Sequence, residues 1–249
     1  MRKYNWIILL LISSPLFSQV KMIDAVKMEQ APKIDGKLDD AVWSTLTPVT
    51  DFIQNFPTYG LPCSQRTEVR IFYDNFAVYI GARLYDDPAL IRKQITARDG
   101  EQQTDADYFS VFFDTYNDNQ NGFQFLVTTA NVQSDAKLGP NLGDNFSFGD
   151  KTWDAIWESN VSMLPDGWSV EMKIPYISLR FAKKELQSWG LQLLRFIRRT
   201  NESSYWNPVN PQVNGFVNQF GDLNGLRNIL PPLRLSFSPY VTAGYRSCL

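Results

Sequence analysis

The chain has 249 residues with 24 basic and 26 acidic side chains, a formal net charge of −2 and no histidine. Without histidine, serine triads and histidine-ligated zinc sites are excluded, and the weakly acidic balance argues against nucleic acid, which needs a basic patch to follow its phosphates. The two cysteines, Cys63 and Cys248, are too few for a thiolate metal cluster and leave open one bridge between a loop and the C-terminal end.

Met1 to Ser18 places Arg2 and Lys3 ahead of an apolar stretch from Trp6 to Phe17 that is too short to span a bilayer and ends in a small residue. The pattern predicts a secretory signal over residues 1–18, cleaved between Ser18 and Gln19, and so an exported protein. Cleavage leaves about 231 residues and removes two positive charges, bringing the net charge near −4. That length suits one large domain burying roughly 70 per cent of its unfolded surface. No cysteine stands at the cleavage point, so a bacterial lipid anchor is not expected.

The run IDGKLDDAVW, Ile34 to Trp43, opens the domain. Asp35 and Gly36 predict a turn, Asp39 and Asp40 suit the first turn of a short helix through its dipole, and Ala41, Val42 and Trp43 form an apolar plug. Period-two alternation follows. Thr67, Val69, Ile71 and Tyr73 share one face of a strand, Asp74 and Asn75 turn it, and Val78, Ile80, Ala82 and Leu84 share a face of the next. Phe109, Val111 and Phe113, a polar loop from Tyr116 to Gly122, and Phe123, Phe125 and Val127 predict a second hairpin. Trp168, Val170, Met172 and Ile174 begin a third set, which Leu191 and Leu193 continue after a loop.

Helical periodicity is nearly absent and there is no internal repeat, so the expected fold is all-β: an antiparallel β-sandwich over about residues 24–230. Val69, Ile71, Val78, Ile80, Phe109, Val111, Phe125 and Trp168 should point into its core, and the Gly-, Asn- and Asp-rich stretch from Lys137 to Thr152 should be a long loop. Arg195, Arg198 and Arg199 lie at a strand end and are expected to pair with local carboxylates. From Pro231 to residue 249 the tail alternates Leu233, Leu235 and Phe237 with Arg234, Ser236 and Ser238. It reads either as a closing strand of the sandwich or as one truncated strand of an outer-membrane barrel, which needs at least eight strands of about ten residues.

IDGKLDDAVW, TEVRIFYDNFAVYIGARLYD (67–86), DADYFSVFFD (105–114), WDAIWES (153–159), DGWSVEMKIPYISLRF (166–181) and FGDLNGL (220–226) stand in an order that resembles the family 9 carbohydrate-binding module. The same order is found in the related domain ahead of large barrels in some Gram-negative outer-membrane proteins. The resemblance implies a non-catalytic binding domain for an oligo- or polysaccharide, linked to polysaccharide breakdown and often carried beside glycoside hydrolases. It also implies a location in the periplasm, outer membrane or cell surface. In sugar-binding members two tryptophans clamp the terminal sugar; the first position falls near Thr104, which is not aromatic, and the second near Phe216. An acidic residue of the family's first ligand strand corresponds to Ser110.

On this basis the ligand is expected at Trp206 and Phe216, with Trp153 as a second aromatic wall and Asp107 as a hydroxyl partner, because aromatic faces stack on pyranose C–H faces. Asp114, Asp118, Asn119 and Asn121 crowd one loop whose oxygens are candidate calcium ligands, against the alternative of a solvated hairpin turn. A glycosidase would need two carboxylates about 5 to 9.5 Å apart across a cleft. Glu158 and Glu171 are read as exposed strand residues, and turnover is not expected. The rival to a sugar-binding module is a structural or interaction head of a truncated outer-membrane barrel protein, with no sugar site.

Overall fold

The computed structural model describes residues 20–140, 149–232 and 239–240. The expected signal segment, and residues 233–238 and 241–249 of the tail, lie outside them. The described chain forms two packed sheets. The larger contains β1 (Met22–Asp24), β3 (Ile53–Phe56), β6 (Tyr108–Asp114), β7 (Gly122–Thr128), β8 (Gln133–Leu138), β11 (Leu186–Ile197), β12 (Glu202–Tyr205) and β13 (Gly221–Arg227). Its main path runs β1-β13-β11-β6-β7-β8, with β12 and β3 extending the β13 side of β11. The smaller orders β2 (Val26–Lys27), β4 (Thr67–Tyr73), β5 (Ala77–Tyr85), β10 (Gly167–Pro175) and β9 (Glu158–Leu164) as β2-β4-β5-β10-β9. The pairing is antiparallel except for the two short N-terminal strands, which lie parallel to β13 and β4.

The alternating pattern builds the core directly. All eight expected core residues, Trp168 among them, are buried in one cluster between the sheets, with Trp189, Phe113 and Leu193. The two expected hairpins are β4–β5 and β6–β7. In the first, Asp74 holds the turn by accepting from the Phe76 and Ala77 amides at 2.6 and 2.8 Å and from the Tyr79 hydroxyl at 2.9 Å. The third set divides instead of continuing: β10 belongs to the smaller sheet and β11 to the larger. Pro175 ends β10, and Leu179 and Phe181 bury themselves as the chain crosses between layers.

A second apolar cluster lies on the outer face of the smaller sheet, where Trp43 and Leu46 pack on Phe72, Ala77 and Tyr79. Here the sequence reading of Glu171 is corrected. The side chain is fully buried, and it accepts from the amides of Asp35 and Gly36 at 2.9 and 2.8 Å and from the Trp43 indole at 2.7 Å. Gly36 adopts φ +85°, and a Cβ there would lie 2.6 Å from the Val161 carbonyl carbon, so only glycine fits. The IDGKLDDAVW run is therefore a clasp on Glu171. α1 (Ala41–Ser44) forms as expected, but Asp40 caps it without a side-chain bond; its carboxylate accepts from the Lys33 amide at 3.0 Å.

At one end of the sandwich Arg195 is buried between the layers, donating to the carbonyls of Arg66 and Tyr85 at 2.9 and 2.7 Å and to Asp86 at 3.3 Å. Arg199 meets Asp86 with two bonds of 2.8 Å. Arg198 donates its guanidinium to the carbonyls of Glu101, Gln102 and Thr104. The expected pairing with carboxylates holds for Arg195 and Arg199, which share Asp86, whereas the Arg198 guanidinium is taken up by backbone carbonyls.

Candidate functional site

The outer face of the larger sheet is where polar chemistry sits in an apolar wall. Strand alternation puts Phe109, Val111 and Phe113 inward and leaves Tyr108, Ser110 and Phe112 outward, with Gln124 and Leu126 beside them on β7 and Gln192, Leu194 and Phe196 on β11. Phe112 is paired across the sheet with Gln192 on one side and Gln124 on the other. Over this face the 206–220 segment folds back and packs Val209, Val217 and Phe220 onto Tyr108, Phe112, Leu194 and Tyr205. Polar bonds hold the segment in place: Asn207 donates to the Gln219 carbonyl at 2.8 Å, and the Gln219 side chain accepts from the Asn210 amide at 2.7 Å.

The two glutamines differ. Gln192 is fully used, donating to the Asn207 carbonyl at 2.8 Å and accepting from the amides of Leu193 and Asn207 at 3.0 Å each. Gln124 donates to Ser110 Oγ at 3.2 Å, while its Oε1 is buried and has no donor. A buried acceptor left open costs free energy, of order 1 to 3 kcal/mol, which a ligand hydroxyl could recover. Neither glutamine carries an obvious sequence motif. The available signal is that Ser110, Gln124 and Gln192 are polar at positions of central strands where the opposite face already supplies the core.

The sheet separates the expected ligand residues. Trp206 is a correction: it is 3% exposed and lies in the inter-sheet core, its ring so close to Gly221 that a Cβ there would come within 2.7 Å. A stacking platform needs an open face, and this ring has none. Phe216 lies on the other face, half-buried, with its ring centroid 5.2 Å from Phe112, 5.6 Å from Tyr205 and 5.0 Å from Phe220. Trp153 is half-buried on the core side against Phe123 and Phe125, with Lys137 Nζ 5.6 Å above its ring. It cannot form a wall opposite Phe216 through the sheet.

Asp107 is also a correction, because it is 1% exposed at the Arg195 end of the sandwich. One oxygen accepts from the Arg198 amide at 2.8 Å; the other is buried without a partner. Burial pushes its carboxyl up to about 6, with Asp86 adding to the rise, while the Arg198 amide, Arg195 and Arg199 oppose it. Thr104, at the family's first clamp position, is buried and bonds the Gly100 carbonyl at 2.8 Å.

The expected calcium loop bonds part of its oxygen set to itself and leaves Asp114 Oδ1 buried without a partner. Asp114 is buried and accepts from the Asn119 amide at 2.7 Å. Asp118 accepts from the amides of Gln120 and Asn121 at 2.9 and 2.8 Å and from the Asn121 side chain at 2.8 Å. Burial raises the Asp114 carboxyl, whereas in Asp118 a smaller burial penalty is outweighed by the bonds from Asn121 and Gln120, which hold it low. Among the described residues no three acidic or thiol side chains converge to hold a metal ion.

With the geometry in place, comparison with known proteins decides the family. The family model described as "Carbohydrate family 9 binding domain-like" matches residues 34–222. The chain belongs to this family. Two solved structures of a family 9 carbohydrate-binding module from Caldicellulosiruptor kristjanssonii share its fold. The one in complex with cellotriose is 19% identical, covering 88% of this chain and 100% of that one, with a TM-score of 0.55. The one in complex with glucose is 18% identical over 85% and 100%, with a TM-score of 0.57. A putative carbohydrate-binding protein from Bacteroides uniformis is 12% identical over 83% and 99%, at a TM-score of 0.64. No curated protein matches the chain in sequence. Family 9 domains are binding modules.

Proposed function

We propose that this chain is an exported, non-catalytic saccharide-binding module whose ligand engages the outer face of the larger sheet, with Phe216 and Phe112 as aromatic contacts and Gln124 and Ser110 as hydroxyl partners. Membership of the family over residues 34–222 supports the ligand class, and the open acceptor on Gln124 beside Phe112 carries the placement. Phe112 and Ser110 are fully buried, so the 206–220 cover must part before a ring can reach them. An opening step lowers apparent affinity by the fraction of open molecules, and the partner aromatic at Thr104 is missing. The expected dissociation constant is millimolar to high micromolar, or about 4 to 6 kcal/mol. Export by the N-terminal signal and a place in the periplasm or at the outer membrane belong to the same proposal, as does association with polysaccharide breakdown.

A glycan array followed by calorimetric titration of cello-oligosaccharides tests it. Binding that Phe216→Ala weakens at least about tenfold supports the site; binding indifferent to that change moves the site elsewhere. The burial of this face favours a second reading, in which the domain is the interaction head of a barrel protein and has no sugar site. Silence across the array selects that one.

A further inference from the structure

A cleft lined by none of the outer-face residues opens where β11 and β13 change register. Their pairing shifts between Gln187 and Trp189, so that Gln187 faces Leu226 but Trp189 faces Leu223, and Ser188 is left against Asn224 without a strand partner of its own. The resulting hollow has a volume of about 610 Å³ and is bordered by the 115–117 turn and the 182–188 segment.

Its lining is chemically distinctive: Lys184 and Arg227 supply positive charge, Tyr116 supplies a half-exposed ring, and Ser188, Asn224 and Gln187 supply hydroxyl and amide groups. No carboxylate lines the cleft, and among the described residues neither Lys184 nor Arg227 has an acidic partner. The other basic side chains near strand ends, Arg195 and Arg199, are by contrast neutralised by Asp86. Gln187 is 4% exposed; its oxygen accepts from the Trp189 indole at 3.1 Å while its amide nitrogen is buried with no acceptor. Two unpaired cations, an orphaned amide donor and an aromatic ring around one hollow amount to a site for an oxygen-rich anion with a ring to stack.

We infer that this cleft binds the carboxylated sugar ring of an acidic saccharide, with Arg227 and Lys184 on the carboxylate, Tyr116 against the ring and Ser188 and Asn224 on its hydroxyls. Arg227 offers the planar fork that suits a carboxylate, and Lys184 adds a point charge. The site is independent of the neutral-sugar reading of the outer face, and a chain with both would hold a mixed polysaccharide at two points.

The test titrates the purified chain with trigalacturonate and, separately, with its methyl ester, at low and at about 0.5 M salt. The free acid should bind with millimolar affinity and weaken steeply with salt, and the ester should bind at least about tenfold more weakly. Combining Lys184→Gln with Arg227→Gln should reduce binding of the acid at least about tenfold, and Tyr116→Ala by about three- to tenfold, with melting curves unchanged because all three side chains are exposed. Equal binding of acid and ester, binding that survives the double change, or no binding of the acid overturns the inference. Cellotriose binding that responds to Phe216→Ala but not to the Lys184 and Arg227 changes separates the fate of this cleft from that of the outer face.

Discussion

The outer faces of the two sheets pose the same problem and solve it differently. Each is an apolar surface containing a few buried polar groups under a segment folded back from elsewhere in the chain. On the smaller sheet, Glu171 receives three donors from the 35–43 clasp, and Ser169 donates to the Gly36 carbonyl at 2.6 Å. On the larger sheet the cover brings partners for Gln192 through Asn207, but none for Gln124 Oε1. Polar groups as fully bonded as Glu171 specify a fold, whereas an acceptor left open between apolar side chains, as in Gln124, is one that a ligand donor can meet.

The largest effect is expected from Glu171→Ala, which leaves two amides and an indole N–H buried without acceptors. A loss of about 3 to 5 kcal/mol, read in a denaturant titration, would support the clasp, and a loss under 1 kcal/mol would show that the two faces do not differ in this way.

Asp107 offers a third buried polar group, with one oxygen bonded and one open. Its folded carboxyl titrates near 6 against an ordinary 3.8, so the folded state keeps its proton where the unfolded chain has lost it. This group's stability contribution is intact below pH 3.8 and is lost as the pH climbs to about 6. At about 1.4 kcal/mol per unit the loss approaches 2 to 3 kcal/mol. Asp107→Asn should remove that slope, so the stability difference between variant and parent should change across this window and level off above it. A parallel pair of curves would mean that the carboxyl is ordinary.

Gln124→Leu should separate stability from binding. Replacing an amide with an open acceptor by a group of similar shape should change stability by less than about 1 kcal/mol, while sugar binding falls by about tenfold or more. A destabilised variant, or one that binds as the parent does, would remove the contrast drawn between the faces. The smallest effect concerns the loop from Asp114 to Asn121: with Asp118 bonded to Gln120 and Asn121 and no third acidic side chain converging on it among the described residues, melting curves in calcium and in chelator should coincide, and a rise in calcium would restore it as a metal site.

The sequence by itself determined the sandwich, its hairpins and its core, because a two-residue period fixes which face each side chain takes, and Asp74 and Asn75 fix where the strands reverse. It also held enough ordered motifs to carry the family resemblance. Only the tertiary structure decided what the polar and aromatic residues do. Trp206 and Phe216, ten positions apart in one loop-like stretch, lie on opposite faces of a sheet. Glu171 looks solvent-facing by alternation, yet it is covered by a clasp 128 to 136 residues earlier in the chain. Alternation reports which side of a sheet a residue occupies, whereas burial on the outer side depends on which distant segment folds over it, and that contact has no local period to betray it.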